Sequence, residues 1–125
     1  MMIFVEVDKS EIYENHNDCY FENAVYYNVM RGDKLLCICG VLPLMDNVAE
    51  AFWVKNSFSK NVLSKSFFSS FFDNMFSLGY KALFTWTRCK KLISVFEHYR
   101  GIGIEKVGSP AWDKDPTKTW FMKRI

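Results

Sequence analysis

Residues 48–87 read VAEAFWVKNSFSKNVLSKSFFSSFFDNMFSLGYKALFTWT, and their hydrophobic pattern changes twice. Apolar residues alternate with polar or small ones over residues 48–55, which is typical of a strand with one buried face. From about Ser59 to Leu78, helix formers and paired aromatic residues recur, and Gly79 follows as a natural helix C-cap. Residues 81–87 return to the composition of a strand. The stretch therefore predicts a strand, a long helix and a second strand.

The predicted helix carries more large apolar side chains than one stripe of an amphipathic helix holds. These side chains are Val62, Leu63, Phe67, Phe68, Phe71, Phe72, Met75 and Phe76. We expect either that the helix is covered on two sides or that its second face meets a partner. A homodimer through the Phe-rich helix 59–78 is one arrangement of the second kind.

The rest of the chain extends this alternation of strands and helices. Upstream, the pattern predicts a strand over 3–7, a short helix over 10–17, a hairpin of strands over 24–30 and 35–42, and Pro43 as the end of the second hairpin strand. Downstream, it predicts a helix over 89–99 and strands over 102–107 and 119–123. The order is β-α-β-β-β-α-β-α-β-β, an α/β (α+β) arrangement. No repeat, linker or low-complexity tract divides it, so we expect one domain over residues 1–125.

The composition is that of a chain that can bury a substantial core. Half of the 125 residues are hydrophobic and 18% are aromatic, so a disordered chain is excluded. No apolar run approaches the roughly 20 residues of a membrane helix, so no membrane association is expected. The first residues lack the features of a signal peptide, and we expect a cytoplasmic protein.

The net charge of +2 is unevenly distributed. Residues 80–125 carry ten basic residues against four acidic ones, whereas residues 1–24 carry one basic residue against six acidic ones. Such an asymmetry either steers a charged partner or neutralises itself across the fold.

Several segments of the second half resemble the GNAT acyltransferases. The likeness lies in the strand Ala49-Glu50-Ala51-Phe52-Trp53-Val54, in the long helix that ends at Leu78-Gly79-Tyr80, and in Phe96-Glu97-His98-Tyr99 followed by residues 103–108, GIEKVG. That last run looks like the closing Tyr-Glu-x-x-Gly-Phe-x-x-x-Gly pattern of the family. The resemblance implies a mixed, mostly antiparallel sheet of about six or seven strands flanked by three helices. Short, aromatic-rich chains of this kind also resemble GNAT-like proteins encoded by bacteriophages.

The resemblance implies acetyl-CoA as a cofactor, but the loop that would hold its pyrophosphate departs from the family pattern. GNAT proteins place Gln/Arg-x-x-Gly-x-Gly/Ala before the long helix, because backbone N–H groups must approach the phosphates closely. The matching positions here fall near Ser59, Val62 and Ser64, and no glycine occurs between Val41 and Leu78. The candidates for holding an anion at this helix start are Ser57, Ser59, Lys60 and Ser64. The alternative is that these residues only cap the helix.

The resemblance also implies one base and one acid for catalysis. Glu50 on the fourth strand is the candidate base, and the alternative is a solvated carboxylate near a strand start. By this resemblance, Phe96 occupies the position of the tyrosine that usually acts as the acid, and phenylalanine has no proton to donate. Tyr99, one turn later, is the substitute candidate, and the alternative is a core aromatic residue with its hydroxyl at the surface.

Two other groups of residues give weaker signals. Glu14, His16, Asp18 and Cys19 lack the paired spacing of metal ligands, so no metal site is predicted. Trp86, Trp112 and Trp120 lie among the C-terminal basic residues and could stack on nucleic-acid bases. Packing of these rings in the core is the more common explanation, and no nucleic-acid partner is expected.

Two functional hypotheses follow. In the first, the chain is a divergent GNAT-fold protein with a degenerate acetyl-CoA loop and weak or absent N-acetyltransferase activity, which acts by contact with a host or virion protein. In the second, it is an active acyl-CoA-dependent N-acetyltransferase that modifies an amine on a protein or a small molecule. The missing glycines and Phe96 favour the first hypothesis.

Overall fold

The computed structural model describes residues 1–59, 64–98 and 102–125, and in these ranges it contains seven strands and three helices. The predicted order of elements is confirmed, with one added 3-10 turn at Asn17–Cys19. The strands are β1 (Met2–Val7), β2 (Val25–Arg31), β3 (Lys34–Met45), β4 (Val48–Trp53), β5 (Ala82–Thr87), β6 (Glu105–Val107) and β7 (Thr119–Arg124). The helices are α1 (Lys9–Asn15), α2 (Lys65–Ser77) and α3 (Lys90–His98).

All the strands join one mixed sheet in the order β1-β2-β3-β4-β5-β7-β6. Every pairing is antiparallel except that between β4 and β5, which is parallel. The expected mostly antiparallel sheet of six or seven strands is therefore confirmed. The parallel contact is short, because it covers only Val48–Glu50 against Ala82–Phe84. Beyond Glu50 the two strands separate while both continue, which opens the sheet at its middle.

Helix α2 packs its aromatic residues into the core of the chain itself. Ser64 caps its N-terminus, where the side-chain hydroxyl accepts a hydrogen bond from the N–H of Phe67 at 3.1 Å. Five of its side chains are buried against the sheet: Phe67, Phe68, Phe71, Phe72 and Met75. Phe76 is partly buried against the same cluster, whereas Val62 and Leu63 lie outside the described residues, and the homodimer stays a prediction. No helix in the described ranges is long and apolar enough to cross a membrane.

The two faces of the sheet bury different groups of side chains. Ala49 and Ala51 of β4 face the cluster formed with α2 and α3, whereas Phe52 and Val54 pack with Ile12 of α1 on the other face. This is the alternation that the sequence predicts for residues 48–55, although the strand itself ends at Trp53. Side chains on the Phe52 face are the ones that surround the candidate site.

Three predicted boundaries are wrong. Strand β3 runs through Pro43 to Met45. The first residue of β2, Val25, pairs with Val41, so no β2 residue lies beside Pro43 and its missing N–H leaves no ladder bond unmade on that side. The long helix does not include Ser59, whose N–H bonds to the carbonyl of Leu36 at 2.8 Å. The strand predicted over 102–107 begins only at Glu105, since Ile102 is buried in the core before the strand starts.

Candidate functional site

A cavity of about 810 Å³ opens where β4 and β5 separate. Glu50 and Phe52 of β4 line one side, and Trp86 and Thr87 of β5 line the other. The loop after α1, the end of β3, residues 53–58, residues 88–92 and residues 112–120 also contribute to its lining. Its volume is that of an ordinary small-molecule binding site.

Glu50 is the carboxylate at the point of separation. It stands in the last residue pair of the parallel contact, opposite Phe84, and its Oε2 accepts a hydrogen bond from the indole N–H of Trp86 at 3.3 Å. Burial raises the pKa of Glu50, while the Trp86 hydrogen bond and the charge of Lys118 act in the opposite direction. A partly desolvated carboxylate with a raised pKa is a stronger proton acceptor than an ordinary carboxylate. The structure thus places the predicted base in a cavity.

Trp86 connects Glu50 to a group of charges. The Nζ of Lys118 lies 4.2 Å from the centre of its ring, and the guanidinium carbon of Arg88 lies 4.9 Å from it. Lys118 also pairs with Asp113 at 3.0 Å, and Arg88 pairs with Asp115. The backbone N–H of Asp115 and the ammonium of Lys118 hold the pKa of Asp113 below its usual value. These contacts fix the indole ring that orients Glu50.

The sequence analysis did not assign Lys118, Asp113 or Arg88 to the site. Arg88 directly follows β5, Asp113 lies in the loop before β7, and Lys118 is the residue just before that strand, so only the pairing of β5 with β7 brings them together. The one available signal was the density of basic residues near Trp86 and Trp120, which the sequence analysis considered only in relation to nucleic-acid stacking.

The ring of Phe52 lies across Gly40 on the neighbouring strand. Gly40 pairs with Phe52, and a Cβ at residue 40 would stand 2.2 Å from Cζ of that ring. The ring is also in edge contact with Phe21 and Tyr26. Glycine at position 40 is therefore required for Phe52 to occupy this side of the cavity.

We expect Gly40→Ala to lower the free energy of unfolding by about 1–3 kcal/mol, because the added methyl group must displace an enclosed ring. Urea unfolding followed by circular dichroism measures this change. Gly108→Ala is the matched control, since its Cβ would meet no atom within 4 Å. In the double variant Gly40→Ala/Phe52→Leu the smaller side chain makes room, and we expect most of the loss to be recovered. Equal stability of Gly40→Ala and the unchanged protein would contradict the role of Gly40.

The loop between α1 and β2 is held against the cavity by Tyr26. The buried hydroxyl of Tyr26 accepts a hydrogen bond from the N–H of Phe21 at 2.8 Å and donates one to the carbonyl of Cys19 at 2.7 Å. Asp18, Cys19 and Phe21 all line the cavity. A single buried tyrosine thereby fixes the position of this loop.

A second cavity, of about 370 Å³, lies between the start of α2 and α3. Ser64, Cys89 and Lys91 line it, together with apolar side chains. Phe58 and Leu92 line both cavities. The two cavities are thus adjacent, with Phe58 and Leu92 between them.

The residues predicted to hold a cofactor have different environments. Ser57 is engaged with the backbone, because its hydroxyl donates to the carbonyl of Val54 at 2.7 Å and accepts from the N–H of Ile38 at 3.0 Å. The buried hydroxyl of Ser59 has no hydrogen-bond partner among the described residues. Ser64 both caps α2 and lines the second cavity. Lys60 and Val62 lie outside the described residues.

The position predicted to hold the acid is part of the core. Phe96 is buried, and its ring contacts Trp53, Phe68 and Phe121 at centroid distances of 6.4, 5.0 and 5.1 Å. It lines neither of the two cavities described above. Tyr99 lies outside the described residues. Within the described part of the chain, no tyrosine or histidine lines either cavity.

The three tryptophans of the C-terminal half are largely engaged within the chain. Trp120 is buried, and Trp86 carries Lys118 and Arg88 over its ring, whereas Trp112 is 56% exposed. The packing interpretation therefore describes Trp86 and Trp120. In the described ranges, no three His, Cys, Asp or Glu side chains converge as metal ligands would.

No protein-family model matches the sequence, and no curated protein matches it. The fold does match solved structures over nearly the whole chain. An acetyltransferase from Bacillus subtilis in complex with CoA has a TM-score of 0.62 at 15% identity, over 99% of this chain and 97% of that one. An IAA acetyltransferase from Bacillus cereus has a TM-score of 0.65 at 9% identity, over 100% of both chains. The N-acetyltransferase PseH from Campylobacter jejuni, in complex with acetyl coenzyme A, has a TM-score of 0.60 at 10% identity, over 99% of both. At these identities the likeness establishes the fold.

Proposed function

We propose that this chain, which has the fold of the GNAT acetyltransferases, transfers an acyl group from acyl-CoA to an amine, with Glu50 as the general base. One observation carries the proposal: Glu50 lines the cavity between β4 and β5, and burial raises its pKa. This is the second of the two hypotheses that the sequence left open.

The residues at the start of α2 fit an acyl-CoA molecule in part. The second cavity lies at the N-terminus of the 13-residue helix α2, which carries a partial positive charge, and Lys91 also lines it. Together these two positive groups suit the binding of a phosphate group. Phe58 and Leu92, shared by both cavities, offer apolar contacts to an arm that extends toward Glu50. The family's glycines are missing, so we expect this binding to be weaker than a glycine-rich loop provides.

The residues of the chain itself supply a proton-transfer step. Acyl-CoA, when bound, supplies an acyl group activated as a thioester. Glu50 accepts a proton from an ammonium acceptor, which frees the nitrogen lone pair for acylation. Trp86 holds Oε2 of Glu50 and leaves Oε1 for the acceptor. The lining is largely apolar, which strengthens the electrostatic contacts within the cavity.

We expect Lys91→Glu to weaken acetyl-CoA binding about tenfold, because it replaces attraction to the phosphates with repulsion at the second cavity. Isothermal titration calorimetry at low salt measures the change. Lys90→Glu is the matched control, since Lys90 is the preceding residue, is exposed and lines neither cavity. It alters the net charge equally, and we expect a much smaller effect.

Two results would contradict the proposal. Equal weakening by Lys90→Glu and Lys91→Glu would show that only net charge matters. If the unchanged protein showed no detectable binding at millimolar acetyl-CoA, acetyl-CoA would not be its cofactor.

We retain a second candidate function, in which a GNAT-fold protein of phage origin acts by contact with a host or virion protein and has little or no transferase activity. The observation that favours it is the position of Phe96, which lies in the core where the family carries its acid. Capture of a defined host or virion protein by a chain that binds no acetyl-CoA would support this candidate.

A further inference from the structure

We propose that the ion pair of Lys118 and Asp113 positions the base: it acts on Glu50 through the indole ring of Trp86 and sets how readily Glu50 takes up a proton. The two partners of the pair act on Glu50 in opposite senses. This inference rests on the proposed function, because it concerns the base of that reaction. Lys118 and Asp113 are positioning residues, since they act through Trp86 and through the charge around Glu50.

The register of the sheet explains why Lys118 lies over Trp86. Trp86 of β5 pairs with Trp120 of β7, and Lys118 precedes Trp120 by two residues, so these side chains lie on one face of the sheet. The Nζ of Lys118 lies 4.2 Å from the centre of the Trp86 ring, whose N–H donates to Oε2 of Glu50 at 3.3 Å. A cation on the face of an indole makes its N–H a stronger donor, which favours the ionised form of Glu50.

Asp113 holds Lys118 in this position. One carboxylate oxygen, Oδ2, lies 3.0 Å from Nζ of Lys118, and the other, Oδ1, accepts a hydrogen bond from the backbone N–H of Asp115 at 3.0 Å. The two side chains of the pair are only 19% and 12% exposed. Solvent and salt screen an enclosed pair much less than a surface pair, so both charges act on other groups in the cavity.

The two charges of the pair have opposite effects on Glu50. Burial is the main reason that the pKa of Glu50 is raised, whereas the Trp86 hydrogen bond and the charge of Lys118 lower this pKa, and the charge of Asp113 raises it. A nearby ammonium favours the ionised carboxylate, and a second carboxylate disfavours it. Removal of Lys118 and removal of Asp113 must therefore move the pKa of Glu50 in opposite directions.

Three other charged side chains of the described residues line the same cavity. Arg88 lies over the same indole ring, with its guanidinium carbon at 4.9 Å from the ring centre, but it pairs with Asp115 and its side chain is 51% exposed. Lys55 and Asp18 are also exposed. Because solvent and salt screen exposed charges, we expect these groups to act on Glu50 less than the enclosed pair does.

The direct test is a carbon-13 NMR titration of the Glu50 carboxyl group in the full chain, with its signal assigned by the loss of that signal in Glu50→Gln. We expect Lys118→Met to move the midpoint of this titration to higher pH, because the carboxylate of Asp113 then lacks its cation. Asp113→Asn should move the midpoint to lower pH, because Lys118 keeps its charge and has lost its carboxylate. The midpoint of the double variant should lie between those of the two single variants.

Two controls separate the charge of the pair from its packing. Lys118→Arg keeps the positive charge, so its midpoint should lie closer to that of the unchanged protein than the midpoint of Lys118→Met does. Lys106→Met breaks another ion pair, with Glu97 at 3.3 Å, whose residues line neither cavity, and it should leave the midpoint unchanged. A general loosening of the site would admit water and lower the pKa of Glu50 in either single variant.

The kinetic arm measures thiol release from acetyl-CoA against pH, with ethylamine, spermidine and a lysine-containing peptide as probe amines. Each transfer forms one amide C–N bond and breaks one thioester C–S bond, and the ammonium nitrogen loses one proton to Glu50 and one to the departing thiolate. One free thiol therefore counts one turnover. The amine titrates in the same way with every variant, so a difference between variants reports on the enzyme.

The expected change in kcat/KM is confined to acidic pH. On the acid limb of the profile, we expect kcat/KM to fall about three- to tenfold in Lys118→Met and to rise in Asp113→Asn. At higher pH Glu50 is ionised in every variant, and the differences should shrink to about twofold or less.

The outcomes separate this inference from the function on which it rests. Shifts of the same sign in Lys118→Met and Asp113→Asn, or no shift in either, would overturn the positioning role and leave acyl transfer intact. Opposite shifts of the NMR midpoint, together with absence of acetyl-CoA binding and of thiol release with every probe amine, would overturn the proposed function. The effect of the ion pair on the carboxyl group of Glu50 would then still stand.

Discussion

Replacement of Glu50 by glutamine is expected to lower kcat/KM for acyl transfer by roughly 10²- to 10⁴-fold, the usual contribution of a general base. Glutamine keeps the shape of the side chain and can still accept the hydrogen bond from Trp86, so the cavity should persist. It cannot take a proton from the acceptor ammonium. Steady-state assays of thiol release measure the loss.

Two controls separate catalysis from folding and binding. Glu105→Gln removes an exposed carboxylate on β6, outside both cavities, and should leave kcat/KM unchanged. Acetyl-CoA affinity of Glu50→Gln should equal that of the unchanged protein, because Glu50 lies outside the second cavity. A fall of less than threefold in kcat/KM for Glu50→Gln would show that another group takes the proton.

The raised pKa of Glu50 also makes the stability of the fold depend on pH. Burial raises this pKa above the ordinary 4.5, so the folded chain binds more protons than the unfolded chain in the window that begins near that value. The contribution of Glu50 to the free energy of unfolding therefore falls as the pH rises through this window. At pH values above this window, the Glu50→Gln variant should have a larger free energy of unfolding than the unchanged protein. Urea unfolding of both proteins at pH 4 and at pH 7 measures this difference.

Replacement of Phe71 by alanine is expected to lower the free energy of unfolding by about 3–5 kcal/mol. Phe71 is fully buried at the centre of the α2 cluster. Its ring lies 5.1 Å from that of Trp53, 5.4 Å from that of Phe4 and 5.5 Å from that of Phe72. Alanine would leave a cavity between rings that are held by the rest of the sheet and cannot close around it.

The matched control for Phe71→Ala is Phe76→Ala, in the same helix. Phe76 is only partly buried, so its removal loses less contact area and leaves no enclosed space. We expect less than half the loss seen at Phe71. Similar losses at both positions, measured by urea unfolding, would contradict the assignment of Phe71 to the centre of the core.

The elements that the sequence predicts well are those whose pattern is local. The alternation of residues 48–55 places Ala49 and Ala51 on one face and Glu50 and Phe52 on the other, and the structure confirms this assignment. Glu50 could therefore be chosen as a candidate base before any contact was known. Its position in a cavity depends on the separation of β4 from β5, which no local pattern encodes.

The features that the sequence did not predict depend on distant partners. Lys118 and Trp86 are far apart in sequence and meet because β5 pairs with β7. The strand continues through Pro43 because its neighbour β2 reaches only as far as Val41, a condition that lies outside the residues around the proline. The helix begins at Lys65 because Ser64, rather than Ser59, supplies the capping hydroxyl.

The short parallel contact between β4 and β5 has a consequence for how the chain folds. Residues 1–53 form β1 to β4 by joining successive neighbours, and β5 to β7 form a second group from residues 82–124. Only three residue pairs of the sheet join these groups, so we expect each to form early and their joining to be late. Since Glu50 stands at that junction, its surroundings would be completed only in the last step. We expect amide hydrogen exchange to show weaker protection along this line than within either group of strands.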